Sequence, residues 1–310
     1  MSAGPRILVT PRSLTERGLT AAGDLEPLRA KGYDLVAGPA GRLPTEEQLI
    51  ELLPGCAGWL AGVERITDRV LGAAPGLRVI SRNGAGTDGI DLAAARRRGV
   101  RVERAAGANA QGVAELTLAL TLSALRHVPW SAAGVARGRW ERTLGAELAD
   151  CTIGVVGLGA VGSRVARLFT ALGARVLATD PVSTGPGVRM TGLEELLAAA
   201  DAVTLHCPPL DGGRPLVDDD RLALLRRGAV LVNTARSALV DDHAVLTALR
   251  DGTLSAYAVD AFDAEPPELT PLLRHERVIA TPHLGGYTAA SVRRATSQAV
   301  VNLLAALEQA

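Results

Sequence analysis

A glycine-rich segment in the middle of the chain constrains the possible folds more than any other feature. The apolar run Thr152–Val156 before it predicts a strand, and the amphipathic run that begins at Gly162 predicts a helix. Between them, Gly157, Gly159 and Gly162 have the G-x-G-x-x-G spacing. Because the run Arg175–Thr179 predicts a second strand after the helix, the segment indicates a β-α-β unit and a parallel sheet.

The three glycines have different tasks in a turn of this kind. Gly157 permits the tight turn, Gly159 lets a pyrophosphate approach the backbone, and Gly162 lets the helix pack closely on the strand. The N-terminus of the helix offers free N–H groups and the positive end of its dipole to the same pyrophosphate. The segment therefore predicts a dinucleotide-binding site, in which Ala160 and Val161 are also cofactor-binding residues.

The acidic residue after the second strand of this unit predicts which dinucleotide is bound. Asp180 follows Gly162 by 18 residues. A carboxylate in that place accepts hydrogen bonds from the ribose hydroxyls and repels a 2′-phosphate. The next three residues, 181–183, include no arginine to hold such a phosphate. The sequence therefore favours NAD over NADP as the cofactor.

Strands and helices alternate along the rest of the chain, which predicts an α/β fold with doubly wound parallel sheets. A predicted helix at 19–31 belongs to the first part, and one long predicted helix at 109–126 lies near the crossing point between two lobes. Two Rossmann-like lobes are therefore expected. The predicted strands are 6–10, 33–36, 58–61 and 77–81 in the first part, and 152–156, 175–179, 202–206, 229–234, 257–259 and 277–280 in the second.

The composition excludes several classes of protein. Apolar residues make up 47% and charged residues 21% of the chain, which excludes disorder. Lys+Arg and Asp+Glu are balanced at 33 each, which argues against a nucleic-acid partner. Because no signal-peptide pattern or bilayer-spanning run is found, a cytoplasmic protein with no membrane partner is expected. The cysteines are far apart and predict neither a disulfide framework nor a metal site: Cys56, Cys151 and Cys207.

Three titratable or charged residues follow predicted strands of the second part. Arg236 follows the strand 229–234, Glu265 follows 257–259, and His283 follows 277–280. Ligands of open parallel sheets bind beyond the carboxyl ends of the strands, so all three side chains are expected at the cofactor crevice. Histidine suits acid/base work because its charge changes near neutral pH, and a nearby carboxylate favours the imidazolium. Arginine suits the capture of a substrate carboxylate.

With these motifs in order, the chain resembles the D-isomer-specific 2-hydroxyacid dehydrogenases, close to their D-3-phosphoglycerate dehydrogenase branch. The resemblance covers nearly the whole chain. The motifs that carry it are the segment 83–91 (NGAGTDGID), the long helix at 109–120, Trp140, the glycine motif, His206-Cys-Pro, Asn233-Thr-Ala-Arg236, the segment 260–266 and Pro282-His283-Leu-Gly-Gly286.

The resemblance implies hydride transfer between NAD and a small acidic D-2-hydroxy acid, with Arg236, Glu265 and His283 as catalytic residues. Asp260 is then expected to orient the nicotinamide carboxamide, and the His206–Cys207 pair to lie beside the adenine. Further cofactor-binding residues are then Cys207, Thr234 and Gly286. The substrate carboxylate is expected on backbone amides near Asn83, and the substrate-binding residues are then Arg82, Asn83, Gly84, Ala85, Arg236 and His283.

The resemblance also implies a division into two domains and an assembly. Residues 1–102 with 284–310 are expected to form a flavodoxin-like substrate-binding domain, and residues 103–283 the NAD-binding Rossmann domain. A homodimer is expected through the stretch 130–148, which carries Trp130 and Trp140 in a chain with only 3% aromatic residues.

The sequence does not determine which chemical group the substrate carries at its far end, the end opposite its carboxylate. Arg82 matches an arginine that phosphoglycerate enzymes place near the phosphate. The second arginine that those enzymes would lead us to expect is replaced around Ala61–Gly62. Arg12 or Arg65 could supply the missing positive charge. The alternatives that remain are a hydroxypyruvate or glyoxylate reductase, a phosphonate- or phosphite-acting dehydrogenase, and a non-enzymatic NADH-sensing protein of the corepressor type.

Overall fold

The computed structural model of the protein describes residues 4–16, 18–185 and 187–309. Its elements in chain order are β1 (Arg6–Val9), α1 (Arg12–Thr15), α2 (Glu26–Ala30), β2 (Asp34–Ala37), α3 (Glu46–Leu52), β3 (Cys56–Ala61), α4 (Asp68–Gly72), β4 (Val79–Arg82), α5 (Leu92–Arg97), β5 (Arg101–Arg104), α6 (Ala110–Leu125), α7 (Val128–Ala136), β6 (Thr152–Val156), α8 (Gly162–Ala171), β7 (Arg175–Thr179), β8 (Arg189–Met190), α9 (Leu193–Ala199), β9 (Ala202–Leu205), α10 (Asp219–Leu222), β10 (Ala229–Asn233), α11 (Asp242–Asp251), β11 (Leu254–Val259), β12 (Val278–Ala280) and α12 (Ala289–Gln309). Short 3₁₀ turns connect several of them.

The chain divides into two compact units, and the first is formed by both ends of the chain. Unit 1 comprises residues 1–109 and 289–310. Its sheet has five parallel strands in the order β2-β1-β3-β4-β5, which is the flavodoxin-like order. Helix α12 packs on this sheet, and the buried Ser81 hydroxyl of β4 donates a hydrogen bond of 2.7 Å to the Ala299 carbonyl of α12.

Side-chain caps explain where several helices of unit 1 begin. Thr45 precedes α3 and forms a capping box: its hydroxyl accepts from the Gln48 N–H, and the Gln48 side chain accepts from the Thr45 N–H. Thr67 before α4 and Asp91 before α5 accept the N–H groups of Val70 and Ala94.

Unit 2 comprises residues 110–288 and contains the glycine motif. Its sheet has seven parallel strands in the order β12-β11-β10-β9-β6-β7-β8. The strand order reverses between β6 and β9, as in the Rossmann fold. Strands β6, β9 and β10 are buried along their whole lengths, because helices cover both faces of a parallel sheet.

The predicted α/β fold class is confirmed, and several predicted elements differ in detail. The helix predicted at 19–31 consists of 3₁₀ turns at Leu19–Ala21 and Gly23–Leu25 followed by α2 alone. Pro27 fits the first turn of α2 but could not continue a helix that began at residue 19, because proline lacks the backbone N–H. Strands β5 and β8 were not predicted, because both are short edge strands whose apolar residues are few.

The units divide at 109/110 and 288/289, whereas the domains expected from the sequence divide at 102/103 and 283/284. The long helix predicted at 109–126 is α6 and belongs wholly to unit 2. Among the described helices, none is both long enough and apolar enough to cross a membrane.

Helix α8 provides a test of how the core of unit 2 is held. Phe169 on α8 is fully buried, whereas Leu172 at the end of the same helix is half exposed. We expect Phe169→Ala to lower the free energy of unfolding by about 3–5 kcal/mol, since it leaves a cavity under the helix. Leu172→Ala is the matched control, with an expected change of about 0.5 kcal/mol or less. Urea denaturation followed by circular dichroism measures both; equal effects would contradict this packing.

Candidate functional site

The glycine turn between β6 and α8 is built by close backbone approaches. Gly157 has a φ of +92°, a conformation that favours glycine. A Cβ on Gly162 would lie 1.8 Å from the Gly157 carbonyl oxygen, so the start of α8 can pack here only without a side chain. A Cβ on Gly159, in contrast, would meet no atom within 4 Å. The open space lies at Gly159, where the sequence predicts the approach of a pyrophosphate.

Asp180 lies at the carboxyl end of β7 and is bound to the glycine turn. Its carboxylate accepts hydrogen bonds from the N–H groups of Leu158 (2.7 Å), Val182 (2.8 Å) and Ser183 (2.6 Å). Desolvation alone would raise the pKa of Asp180, but these backbone hydrogen bonds lower it below its usual value. The carboxylate is therefore ionised near neutral pH, as the repulsion of a 2′-phosphate requires.

His206 and Cys207 follow β9, next to the glycine turn. A Cβ on Gly157 would lie 2.7 Å from the His206 carbonyl oxygen. Burial lowers the pKa of His206 to about 3, and its buried Nε2 atom has no hydrogen-bond partner in the described part of the chain. Burial also raises the pKa of the Cys207 thiol. Both side chains are therefore uncharged at neutral pH and give this wall of the turn a neutral surface.

Arg236 follows β10 and is held by Asn233, a residue of its motif to which the sequence analysis gave no role of its own. Asn233, the fully buried last residue of β10, donates from Nδ2 to the Arg236 carbonyl (2.8 Å) and accepts the Ala235 N–H at Oδ1 (3.1 Å). Since asparagine commonly stabilises turns through its own following backbone, the Asn-Thr-Ala-Arg segment itself carried this signal.

Thr234 connects the same turn to α6. The Thr117 hydroxyl donates its proton to the Val113 carbonyl (2.8 Å) and lies 2.9 Å from the Thr234 hydroxyl. Because a hydroxyl has only one proton, Thr234 must be the donor in the bond between them. The Thr234 hydroxyl proton is therefore directed at α6, which leaves its lone pairs to accept from other groups.

His283 and Glu265 form the paired titratable group of unit 2. His283 Nδ1 is hydrogen-bonded to Glu265 Oε1, and both side chains are partly exposed, by 52% and 37%. Nε2 of the imidazole is therefore the ring nitrogen that is left to face a reactant. His283 has a φ of +51°, an uncommon conformation for a residue other than glycine.

Asp260 holds the segment that carries His283. Its buried carboxylate accepts hydrogen bonds from the Thr281 hydroxyl (2.6 Å) and from the N–H groups of Leu284 (2.7 Å) and Gly285 (2.8 Å). These bonds lie on both sides of residue 283 and stabilise its strained backbone. Thr281 was not singled out from the sequence, and Asp260 has in this structure a positioning role beside the one that resemblance implies.

The predicted catalytic residues of unit 2 follow adjacent strands. Arg236 follows β10, Glu265 follows β11, and His283 follows β12. Asp260, predicted to bind the cofactor, comes directly after β11. The Asp260 N–H donates to the Asn233 carbonyl (3.0 Å), which fixes the ends of β10 and β11 to each other. Gly286 lies in the same segment as His283 and is half-buried. Among the described residues, no three His, Cys, Asp or Glu side chains form a group suited to a metal ion.

The predicted substrate residues of unit 1 form a loop after β4. The Asn83 N–H donates to the Ala61 carbonyl of β3 (2.8 Å). The Arg82 guanidinium folds back and donates to the Asn83 carbonyl (2.6 Å), and it lies 2.8 Å from the place of a Cβ on Gly84. Arg82 therefore supports this loop, and Gly84 leaves room for it. Ala85 accepts a hydrogen bond from Arg104 at its carbonyl.

The family model and the curated relatives that match this chain belong to the same protein family. Residues 118–285 match the family model described as D-isomer specific 2-hydroxyacid dehydrogenase, NAD binding domain. D-3-phosphoglycerate dehydrogenase of Sus scrofa is 37% identical over 262 residues, which cover 82% of this chain and 48% of that protein. D-3-phosphoglycerate dehydrogenase of Methanocaldococcus jannaschii is 39% identical over 232 residues, which cover 72% and 44%. The chain thus spans about half the length of the curated relatives it matches.

Solved structures match over nearly the whole chain. The TT0316 protein from Thermus thermophilus has a TM-score of 0.88 and 37% identity, with 98% of this chain and 97% of that chain covered. D-lactate dehydrogenase from Aquifex aeolicus, solved with NAD and lactic acid, has a TM-score of 0.82 and 26% identity, with 98% and 96% covered. The residues of the glycine turn fit NAD, because Gly159 leaves open backbone beside the ionised Asp180.

Two glycines of the turn allow a paired test of cofactor binding. Gly159→Ala meets no atom of the protein, so we expect an unchanged melting temperature but an NADH affinity lowered about tenfold, because the methyl group enters the space of the pyrophosphate. Gly162→Ala clashes with the Gly157 carbonyl, and we expect it to lower the melting temperature as well. NADH fluorescence titration and thermal unfolding measure the two effects. If Gly159→Ala binds NADH normally, the pyrophosphate is bound elsewhere.

Proposed function

Because the chain belongs to the D-isomer-specific 2-hydroxyacid dehydrogenase family, we propose that it transfers hydride between NAD and carbon 2 of a small acidic D-2-hydroxy acid, in the manner of phosphoglycerate dehydrogenase. The observation that carries this proposal is the hydrogen-bonded His283–Glu265 pair, which lies in the unit that also contains the glycine turn. A paired imidazole and carboxylate suit the proton transfer that accompanies hydride transfer at a hydroxyl-bearing carbon.

The proposed reaction assigns one task to each of three side chains. NAD, when bound, supplies the hydride-accepting nicotinamide. His283 takes the proton of the substrate hydroxyl at Nε2 in oxidation and returns it to the carbonyl oxygen in reduction. Glu265 binds Nδ1, which fixes the orientation of the ring and leaves Nε2 for the substrate. Arg236 binds the substrate carboxylate and polarises the carbonyl oxygen, since its guanidinium is always charged.

The two units have different roles in this proposal. Unit 2 is the NAD-binding domain, with Gly157, Gly159, Gly162 and Asp180 at the cofactor and Asp260 at its carboxamide. Unit 1 is the substrate-binding domain, where the loop 82–85 binds the substrate carboxylate. The support in unit 1 is the position of this loop at the carboxyl end of β4, the edge where open parallel sheets bind ligands.

The activity is tested with NADH and a panel of 2-keto acids. Hydroxypyruvate, 3-phosphohydroxypyruvate, glyoxylate and pyruvate are mixed with the protein, and the loss of NADH absorbance is followed. We expect turnover with at least one of these acids. His283→Asn should lower kcat about 10²–10⁴-fold and leave NADH binding unchanged, because the side chain acts on the substrate. Glu265→Gln should lower kcat with NADH binding unchanged, since the imidazole ring loses the carboxylate that fixes it.

His243 provides the matched control for this test. It lies in the first turn of α11 and receives no role here, so His243→Asn should leave kcat unchanged. Normal turnover by His283→Asn would contradict the assignment of the acid/base group. Binding of NADH without turnover of any acid would favour an NADH-sensing protein instead.

We also propose a cytoplasmic homodimer, and a long exposed arm supports the dimer. Residues 137–147 follow α7 without regular secondary structure, and Trp140 and Leu144 are 84% and 95% exposed. Trp130, in contrast, packs within its own chain: its Nε1 donates to the Glu276 carbonyl, and the Arg277 guanidinium lies 5.4 Å from its ring centroid. Apolar side chains exposed to this extent are typical of surfaces that bind a partner.

Light scattering tests the assembly. At micromolar concentration we expect a mass of about twice the 32.0 kDa of one chain. The double variant Trp140→Ser, Leu144→Ser should have the mass of one chain, since it removes the apolar part of the arm. Leu269→Ser changes an exposed leucine outside the arm and should leave the mass unchanged. A monomer in the unsubstituted protein would refute the dimer.

A further inference from the structure

The strand order of unit 1 marks a second place for a ligand besides the loop 82–85. The chain proceeds from β1 to β2 on one side of the sheet and from β3 to β5 on the other, so the order reverses between β1 and β3. In open α/β sheets, ligands bind at the carboxyl ends of the strands where the order reverses. Here those ends are followed by Thr10 after β1 and Gly62 after β3.

A buried carboxylate lies between these two strand ends. Glu64 is only 4% exposed. Its Oε1 atom accepts the Gly62 N–H (2.8 Å) and the Thr10 hydroxyl, while the Trp59 indole N–H donates to Thr10 Oγ1 (3.0 Å). Both donors to Glu64 in the described part of the chain are neutral groups. The donors that a ligand anion would use at this reversal point are therefore bound to a carboxylate of the protein itself.

The second carboxylate oxygen of Glu64 lies beside Gly62. Oε2 is buried and has no hydrogen-bond partner among the described residues. A Cβ on Gly62 would lie 2.7 Å from this oxygen and 3.2 Å from Pro11 Cα. The carboxylate therefore lies against both strand ends, and a side chain at position 62 would require Glu64 to shift. Buried polar atoms without a partner are rare in folded proteins and often mark a functional position.

We propose that Glu64 is a specificity-determining residue that occupies the anion position of this reversal point and excludes phosphorylated substrates. The inference rests on the proposed function and assigns its substrate class: short D-2-hydroxy and 2-keto acids whose far end is a neutral group or a hydrogen-bond donor. A phosphate at this point finds its N–H and hydroxyl donors already used, and its oxygens meet the acceptor oxygens of the buried Glu64 carboxyl group. A hydroxyl group at the far end meets neither penalty.

Binding of two acids that differ only in the phosphate tests the role of Glu64. D-glycerate and D-3-phosphoglycerate are titrated by calorimetry into the protein saturated with NADH, where no turnover is possible. We expect D-glycerate to bind at least about tenfold more tightly than D-3-phosphoglycerate. Glu64→Gln keeps the acceptor for Gly62 and Thr10 but replaces Oε2 by an N–H donor, so it should reduce this ratio about tenfold, mainly by tighter binding of D-3-phosphoglycerate.

Glu51→Gln is the matched control, because Glu51 is an exposed glutamate of α3 in the same unit. It should leave the ratio unchanged, which separates the effect of Glu64 from that of net charge. Tighter binding of D-3-phosphoglycerate to the unsubstituted protein would overturn the inference, and this comparison needs no variant. An unchanged ratio in a folded Glu64→Gln protein would overturn it as well. These two results differ from a failure of the proposed function, in which no 2-keto acid would cause oxidation of NADH.

Discussion

The parallel arrangement of both sheets is the constraint on which the rest of the structure depends. Every strand in a parallel sheet ends at the same edge, so the segments that follow successive strands are brought together there even when they are far apart in sequence. Asp180, His206, Arg236, Asp260 and His283 all follow strands of unit 2 at this edge. The whole sheet of unit 2 thus serves to bring a few chemically active side chains to one edge.

Within this frame, buried polar side chains hold the active segments in shape. Asn233 fixes the turn to Arg236 through both ends of its amide, and Asp260 fixes the segment around His283 through three hydrogen bonds. Buried polar groups are costly unless they are satisfied, so a satisfied one specifies a single geometry. Glu64 in unit 1 differs from these two residues, because one of its oxygens stays without a partner among the described residues.

The sequence predicted the fold class, because buried parallel strands are near-continuous apolar runs that are easily recognised, as in β6 and β7. It also placed Arg236, Glu265 and His283 after strands, and it paired Glu265 with His283. It gave no positioning role to Thr281 or Glu64, because their partners Asp260 and Thr10 are far away in sequence and only the folded chain brings them near. The role of Asn233 was missed as well, although its contacts with the following turn are local. The edge strands β5 and β8 were missed since short, exposed strands lack a clear apolar pattern.

The place of α12 in unit 1 has a consequence for how the protein is made. The core of this unit combines Ile7, Val9 and Leu60 from the first strands with Ala299, Val300 and Leu303 from α12. Chains emerge from the ribosome with the N-terminus first, and domains generally fold as units. The first sheet must therefore wait, with one face uncovered, until residues 289–309 are synthesised. Unit 2 is continuous in sequence and is complete before then, so the segment synthesised second is the first able to fold.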